Sequence, residues 1–262
     1  MSHRPRKRFG QHFLRDPSVV SRIVAAIGPA EGDHLVEIGP GEGILTAPLA
    51  ALPVALDAVE IDRDLAAALR TRYAGDANFT LHEADALKFD FASLGDDLRV
   101  VGNLPYNIST PLLFHLVEQR RAIRDMHFML QKEVVDRMAA SPGGKQYGRL
   151  TVMLACSMEV ERLFDVPPEA FRPPPRVQSS VVRLVPRARQ LEIGDESLFA
   201  ALVTGAFSRR RKTLRNALAA WLTAEAIAEE GIDPTLRPER LAPEEFARLA
   251  NRALRERDDA LE

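Results

Sequence analysis

The first 130 residues alternate short apolar segments with amphipathic ones, and this alternation limits the chain to very few folds. The predicted strands are 34–38, 54–61, 79–83, 99–101 and 126–130. The predicted helices between them are 44–52, 64–73 and 109–120, the last with Ser109 as its cap. A further helix is predicted from Pro17, with Asp16 as its cap, to Gly28. Strands that alternate with helices predict a parallel sheet covered on both faces. We therefore expect an α/β fold whose ligands bind at the carboxyl ends of the strands.

The pattern changes in the second half of the chain. Two strand-like segments, 161–166 and 179–185, have no clear helix between them and indicate a hairpin at the edge of the sheet. Strand signals stop after Pro186, and the predicted helices are then 198–207, 213–222, 224–230 and 243–254. We expect a catalytic α/β domain over 1–187 and a small all-helical domain over 188–262.

The composition excludes several classes of protein. Hydrophobic residues make up 46% and charged residues 27% of the chain, which is typical of a globular protein. The single cysteine, Cys156, cannot form an internal disulfide, which fits a reducing compartment. It lies in the apolar run 150–156, which indicates a buried packing role. No apolar run approaches the ~20 residues of a membrane span, and the basic N-terminus lacks the apolar stretch of a secretion signal. We expect a cytoplasmic protein without a membrane segment.

Positive charge is concentrated in two clusters, although the net charge is −2. Nucleic-acid binding depends on where charges lie, and clustered basic side chains are typical of phosphate contacts. Many charge runs are only solvated surfaces, but two clusters in a slightly acidic chain favour RNA binding. The expected RNA-binding residues are Arg6, Lys7, Arg8, Arg209, Arg210, Arg211, Lys212 and Arg215.

A glycine-rich turn follows the first strand of the predicted sheet. Gly39, Gly41 and Gly43 alternate, unlike the G-x-G-x-x-G spacing that admits a dinucleotide pyrophosphate. Glu60 ends the next strand, where its carboxylate can accept hydrogen bonds from ribose hydroxyls, and Asp85 follows the third strand, near an adenine edge. An adenosine site without a pyrophosphate site fits S-adenosylmethionine better than NAD.

Asn103, Leu104, Pro105 and Tyr106 follow the fourth strand and are the candidate catalytic residues. An adenine amine is a poor nucleophile because its lone pair is delocalised into the ring. Acceptors on its two N–H groups, the Asn103 oxygen and the carbonyl of Leu104 or Pro105, would stabilise the charge that develops on attack. Tyr106 offers a ring on which the adenine can stack. Because the adenine must first leave the base stack of the RNA, it needs a second wall on its other face, and the aromatic ring of Phe171 is the candidate. This chemistry requires no metal, and the six histidines form no ligand cluster.

Five motifs resemble those of the rRNA adenine dimethyltransferases, most closely the bacterial small-subunit (16S) enzymes. They lie at 9–14, 36–43, 103–109, 130–134 and 171–179, and the resemblance extends to 210–216 in the helical region. The resemblance implies a Rossmann-like class I S-adenosylmethionine-dependent methyltransferase domain with a small helical C-terminal domain. The cofactor contacts expected from the resemblance are Gln11, His12, Leu14, Gly39, Gly41, Glu60, Asp85 and Asn103. His12 stands where many relatives carry Asn.

The resemblance implies dimethylation at N6 of two adjacent adenosines in a hairpin loop near the 3′ end of 16S rRNA. The expected substrate is the small ribosomal subunit or its assembly intermediate, with a role in ribosome biogenesis, and the enzyme is expected to act as a monomer. A 23S rRNA dimethyltransferase and a non-enzymatic RNA-binding assembly factor on the same fold stay open as alternatives. A DNA adenine methyltransferase is disfavoured because Leu104 interrupts the Pro-Pro-Tyr sequence that is typical of that class.

Overall fold

Nine strands, ten α-helices and four short 3₁₀ helices make up the regular structure of the described residues, 12–188, 191–209 and 211–259, in a computed structural model. The strands are β1 (Phe13–Leu14), β2 (His34–Ile38), β3 (Ala55–Glu60), β4 (Phe79–Glu83), β5 (Leu98–Asn103), β6 (Ile123–Gln131), β7 (Met158–Val166), β8 (Phe171–Arg172) and β9 (Ser179–Pro186). The helices are α1 (Pro17–Ile27), α2 (Thr46–Ala50), α3 (Arg63–Arg72), α4 (Ser109–Glu118), α5 (Lys132–Met138), α6 (Arg149–Ala155), α7 (Glu196–Ser208), α8 (Leu214–Ala217), α9 (Ala224–Glu229) and α10 (Pro243–Asp259).

Seven of the strands form one sheet in the order β4-β3-β2-β5-β6-β9-β7. The first five are parallel, whereas β9 runs antiparallel to β6. The chain order reverses between β2 and β5, and ligands of such sheets bind beside this reversal. The predicted α/β fold is confirmed, and so is the placement of the last two strands at one edge of the sheet.

Local sequence signals explain the start and end of α1. The Asp16 carboxylate accepts a hydrogen bond from the amide of Ser18 at 2.8 Å, and Pro17 occupies the first turn, as predicted. Gly28 ends the helix at φ +57°.

The prediction that Ser109 caps α4 is wrong. Ser109 is the first residue of that helix, and its hydroxyl donates to the Tyr106 carbonyl at 3.2 Å instead.

The chain divides into two units, and the boundary differs from the expected one. One unit comprises the chain up to Val135 together with Glu161–Pro186, and the other comprises Asp136–Val160 and the chain from Arg187. The division after Pro186 lies one residue before the expected boundary, and the segment 136–160 was expected in the α/β domain. It belongs with the C-terminal helices because its apolar side chains are part of their core.

The core of the second unit shows why the segment 136–160 belongs there. Tyr147 is fully buried in a cluster with Phe199 and Phe246, and its hydroxyl donates to the Leu241 carbonyl at 2.7 Å. The apolar run that contains Cys156 forms α6 and packs into the same cluster.

The helix predicted over 213–222 is shorter in the structure, where it comprises only Leu214–Ala217. None of the described helices combines the length and the apolar character needed to cross a membrane.

A buried arginine ties α1 to the sheet of the first unit. Arg99 is 7% exposed, and its guanidinium donates to Asp33 at 2.7 Å and to Asp125 at 3.1 and 2.9 Å. It also donates to the carbonyl oxygens of Ile27 and Gly28 at the end of α1. Burial alone would raise the pKa of Asp33, but hydrogen bonds from the Ala30 amide and from two arginines hold it at about 2. A buried charge with its partners removed is strongly destabilising, so the position of α1 depends on this network.

The Asp33 carboxylate should make stability depend on pH. Because its pKa is lower in the folded chain than its ordinary 3.8, its stabilisation is complete above about pH 5 and is lost as the pH falls toward 2. We expect Asp33→Asn to lower the free energy of unfolding by about 2 kcal/mol at pH 7, and the difference from the parent chain to shrink by pH 2.5. Urea denaturation at both pH values measures this. Asp96→Asn, at an exposed carboxylate, is the control, and a gap for Asp33→Asn that is equal at both pH values would refute the linkage.

Candidate active site

A cavity of about 300 Å³ opens where the strands of the first unit end. The glycine turn after β2, the ends of β3 and β4, and the turn after β5 contribute most of its wall. The walls include ten of the predicted site residues: His12, Leu14, Gly39, Gly41, Glu60, Asp85, Asn103, Leu104, Pro105 and Tyr106. The carboxyl ends of parallel strands lie along one edge, so residues far apart in sequence meet in this cavity.

The glycine turn approaches two neighbouring segments closely. Gly41 has φ +59°, a conformation that favours glycine, and a Cβ there would lie 3.1 Å from the ring of Phe13. The Gly39 amide donates to the Val59 carbonyl at 2.9 Å, which fixes the turn against β3. The turn is therefore held between β3 and the N-terminal strand β1, and all three contribute to the cavity wall.

Two buried carboxylates lie beneath this turn. Glu60 is 5% exposed and accepts from the amides of Gly41 at 3.1 Å and Asp62 at 2.8 Å. Burial raises the pKa of Glu60, while these two hydrogen bonds oppose the shift. Burial raises the pKa of Glu37 to about 7, and the nearby Glu60 carboxylate adds to this shift. The Oε2 atom of Glu37 has no hydrogen-bond partner among the described residues, so this wall carries an unused buried acceptor.

The turn after β5 holds the Asn103 side chain in one orientation. The Nδ2 atom of Asn103 donates to the main-chain oxygen of His12 at 3.1 Å, which leaves Oδ1 as the acceptor that another molecule can use. The Leu104 amide donates to the Met129 carbonyl at 3.2 Å, and the Pro105 carbonyl already accepts from Ile108 at 3.2 Å. Of the two main-chain acceptors considered, the Leu104 carbonyl is therefore the better candidate.

Tyr106 is held by the first residue of β9. Its hydroxyl forms a 2.8 Å hydrogen bond with the hydroxyl of Ser179, which is fully buried at the start of β9. Burial raises the pKa of Tyr106, so the phenol stays protonated at neutral pH. The sequence analysis did not find this role of Ser179, although the residue lies in one of the matched motifs. The only signal was its position directly after a proline-rich loop, 173–178.

Comparison with known proteins identifies the family. The family model described as ribosomal RNA adenine dimethylase matches residues 2–254. The chain belongs to this family.

Two relatives match nearly the whole chain. It is 56% identical to the ribosomal RNA small subunit methyltransferase A of Methylococcus capsulatus over 95% of this chain and 98% of that one. It is 59% identical to the protein of the same name from Thiobacillus denitrificans, over 91% of this chain and 94% of that one.

Two solved structures in the comparison have the same fold. A dimethyladenosine transferase from Plasmodium falciparum has a TM-score of 0.78 at 28% identity, over 95% of this chain and 98% of that one. The 23S rRNA methyltransferase ErmE has a TM-score of 0.73 at 27% identity, over 92% of this chain and 99% of that one. The predicted class of enzyme, a Rossmann-like S-adenosylmethionine-dependent methyltransferase, is confirmed.

The cavity of this family member fits S-adenosylmethionine chemically. Glu60 and Asp85 offer carboxylate acceptors suited to the hydroxyls and the adenine edge of a nucleoside. The unpartnered Oε2 of Glu37 offers an acceptor in a wall that would face a cationic ligand. In the part of the chain that the structure describes, no group of three or more potential ligands could hold a metal ion.

The structure corrects the expectation for Phe171. Its ring is 2% exposed, and it belongs to the core cluster that includes Leu14 and Val166. β8 pairs with β1 through Leu14 and Phe171, which directs this ring into the core, and Phe171 is absent from the cavity wall. A second wall for a base must come from elsewhere.

Some of the predicted site residues lie outside the described residues. They are the cofactor contact Gln11 and the RNA-binding residues Arg6, Lys7, Arg8 and Arg210.

The described part of the second basic cluster is exposed on the second unit. Arg209, Arg211, Lys212 and Arg215 lie in and beside the loop between α7 and α8. Within the described ranges no carboxylate forms an ion pair with any of them, although the Nη1 atom of Arg209 donates to the Asn216 carbonyl at 3.5 Å. Their RNA contacts stay a prediction.

Gly102 controls how closely β2 and β5 approach each other at the cavity. A Cβ at this position would lie 2.5 Å from the main-chain oxygen of Ile38, so the two strand ends would have to separate. We expect Gly102→Ala to lower the free energy of unfolding by about 1–3 kcal/mol and to weaken S-adenosylmethionine binding. Chemical denaturation and calorimetry measure the two effects.

Gly148→Ala is the matched control, because this glycine has extended backbone at φ −173° and its nearest neighbour would be 4.0 Å away. If the two variants had the same stability and cofactor affinity, the close approach at Gly102 would not matter to the site.

Proposed function

We propose that this protein transfers methyl groups from S-adenosylmethionine to N6 of two adjacent adenosines near the 3′ end of 16S rRNA. The observation that carries the proposal is the Asn103 amide. Because its nitrogen is fixed on the His12 carbonyl at 3.1 Å, its oxygen remains to accept from an adenine amine. The carbonyl of Leu104 is the candidate acceptor for the second N–H group.

The residues of this site would assist an amine nucleophile rather than activate it with a strong base. When bound, S-adenosylmethionine supplies a methyl group on a positively charged sulfur. Asn103 Oδ1 and the Leu104 carbonyl orient the amine and stabilise the positive charge that develops on its nitrogen. Tyr106, held by Ser179, supports the base by stacking. The proton of the methylated amine can pass to water, so the site needs no titratable general base.

The cofactor would lie along the glycine turn. Glu60 and Asp85 are the candidate partners of its adenosine part, and Gly39, Gly41 and Leu14 would line its path. Gln11 and His12 are carried from the family resemblance as further contacts.

Small-subunit rRNA is favoured over large-subunit rRNA as the substrate. Relatives named small subunit methyltransferase A are 53–59% identical to this chain, whereas the 23S rRNA methyltransferase ErmE is 27% identical. We infer that the enzyme acts in the cytoplasm as a monomer on the small subunit or its assembly intermediate, with a role in subunit biogenesis. A non-enzymatic assembly factor would not need the acceptor geometry at Asn103.

Replacing Asn103 tests the proposed chemistry directly. We expect Asn103→Ala to reduce methyl transfer by at least about a hundredfold, because one positioned acceptor is lost, while RNA binding is unchanged. The assay mixes the protein, labelled S-adenosylmethionine and small subunits that lack the modification, and primer extension then maps the label.

Asn78→Ala changes an exposed amide at the start of β4, the opposite end of the strands, and is the control with full activity. Label at a large-subunit adenine or in DNA would reassign the substrate. Full activity of Asn103→Ala would refute the proposed role of the amide.

The loop after α7 is the proposed phosphate contact. Neutralising Arg211, Lys212 and Arg215 together with Gln should weaken RNA binding and lower the slope of log affinity against log salt by about 2–3, since each lost phosphate contact removes roughly 0.7–0.9. Cofactor affinity should not change. Filter binding at several salt concentrations measures the slope.

The matched control for the basic loop is Arg255→Gln with Arg257→Gln, because these arginines already form ion pairs with Glu230 and Asp195. An equal loss of slope in the loop variant and this control would show that only net charge matters. An unchanged slope in the loop variant would remove the loop from the RNA interface.

A further inference from the structure

The ring of His12 lies against the ring of Tyr106 at the cavity wall. The two ring centroids are 5.7 Å apart and the planes differ by 28°, so the rings are stacked. Both side chains line the cavity, and both are half-buried. One face of Tyr106, the ring proposed to stack on the adenine, is therefore already covered by another flat, aromatic ring from the same chain.

Hydrogen bonds fix both rings in this arrangement. The Nδ1 atom of His12 lies 2.8 Å from the main-chain oxygen of Pro173, so Nδ1 carries the proton and donates. The hydroxyl of Tyr106 is bonded to Ser179 at 2.8 Å, which restricts rotation of the phenol ring away from the imidazole. The main-chain oxygen of His12 holds the amide of Asn103. One residue thus contacts the base-stacking ring, the proline-rich loop and the catalytic amide.

The spacing leaves no room for a base between the two rings. Stacked atoms approach to about 3.5 Å, so a base inserted between two rings would need them about 7 Å apart. The observed separation is 5.7 Å. A base that stacks on this face of Tyr106 must displace the imidazole.

We propose that the His12 imidazole is a cap that competes with the target adenine for Tyr106. This inference rests on the proposed function, since it takes adenine as the molecule that enters. The cap makes His12 a positioning and specificity-determining residue. A base gains net affinity only if its stacking on Tyr106 and its hydrogen bonds to the Asn103 turn outweigh the lost contact with Tyr106 and the lost bond to Pro173. A pyrimidine, with its smaller ring, meets that condition less well than adenine.

The competition can be measured with adenosine 5′-monophosphate as the probe and the whole chain bound to S-adenosylhomocysteine. Because His12 is itself a candidate cofactor contact, the S-adenosylhomocysteine concentration is set to saturate each variant, which keeps the cofactor site occupied. We expect His12→Ala to lower the Kd of the nucleotide about two- to tenfold, the range of one aromatic contact. His12→Asn can still donate to Pro173 but lacks an aromatic ring, and we expect the same direction of change. In a Tyr106→Leu background, the effect of His12→Ala should disappear, because the two residues act through one contact.

A second measurement needs no nucleotide. If the rings are stacked in solution, the Cε1 proton of His12 is shifted upfield in the NMR spectrum, and Tyr106→Leu abolishes that shift while Tyr73→Leu, at a ring that packs against Phe79 instead, leaves it in place. An unshifted signal would overturn the cap. A higher nucleotide Kd in His12→Ala would also overturn it, because His12 would then be a wall that supports the bound base.

Failure of the cap and failure of the proposed function give different results. If the nucleotide binds the parent chain but His12→Ala leaves its Kd unchanged, the cap is refuted while the adenine site stands. If neither the parent chain nor any variant binds the nucleotide, while small subunits also receive no label, the proposed function fails and the cap, as a competitor of adenine, fails with it.

Discussion

The close approach of β2 and β5 is the constraint on which the site depends. The two strands are neighbours at the point where the chain order of the sheet reverses. Gly102 of β5 lies so close to the main-chain oxygen of Ile38 in β2 that any side chain at this position would clash with it. This contact brings the glycine turn after one strand within reach of the Asn103 turn after the other. A donor molecule on the first turn and an acceptor on the second can then share one cavity.

The two halves of the cavity differ in their electrostatics. The half along the glycine turn, where the cofactor is proposed to bind, contains the buried carboxylates Glu37 and Glu60. Their pKa values are raised because burial penalises their charged forms. The half around Asn103 relies on neutral amide and carbonyl oxygens. Neutral acceptors suit an amine that becomes positively charged only during the reaction, because they do not require a compensating ion beforehand.

The sequence was informative where order along the chain determines position. Glu60, Asp85 and Asn103 each lie at or just after the carboxyl end of a strand in a parallel sheet, so their meeting at one edge could be predicted without coordinates. The family resemblance added His12 and Leu14, which no periodic pattern would have selected.

Other features depend on side-chain direction and on long-range packing, which a linear pattern does not carry. Phe171 was expected in the cavity, but the pairing of β8 with β1 directs it into the core. Ser109 was expected to cap α4, but its hydroxyl bonds to the preceding turn. The short helix α6 was recognised only as an apolar run, since its partners come from residues nearly a hundred positions later, such as Leu241 and Phe246.

The discontinuous second unit has a consequence for how the molecule is made. Almost all of its inserted segment, 136–160, is synthesised before the last two strands of the large sheet, β7 and β9. The apolar partners of Tyr147 and Val152, such as Phe199 and Phe246, emerge later, with the C-terminal helices. During translation the side chains of Tyr147 and Val152 therefore stay exposed to solvent until the C-terminal helices have been synthesised. A stop codon after Pro186 would therefore leave an incomplete core rather than a shortened enzyme, and a chaperone or protease would meet that fragment first.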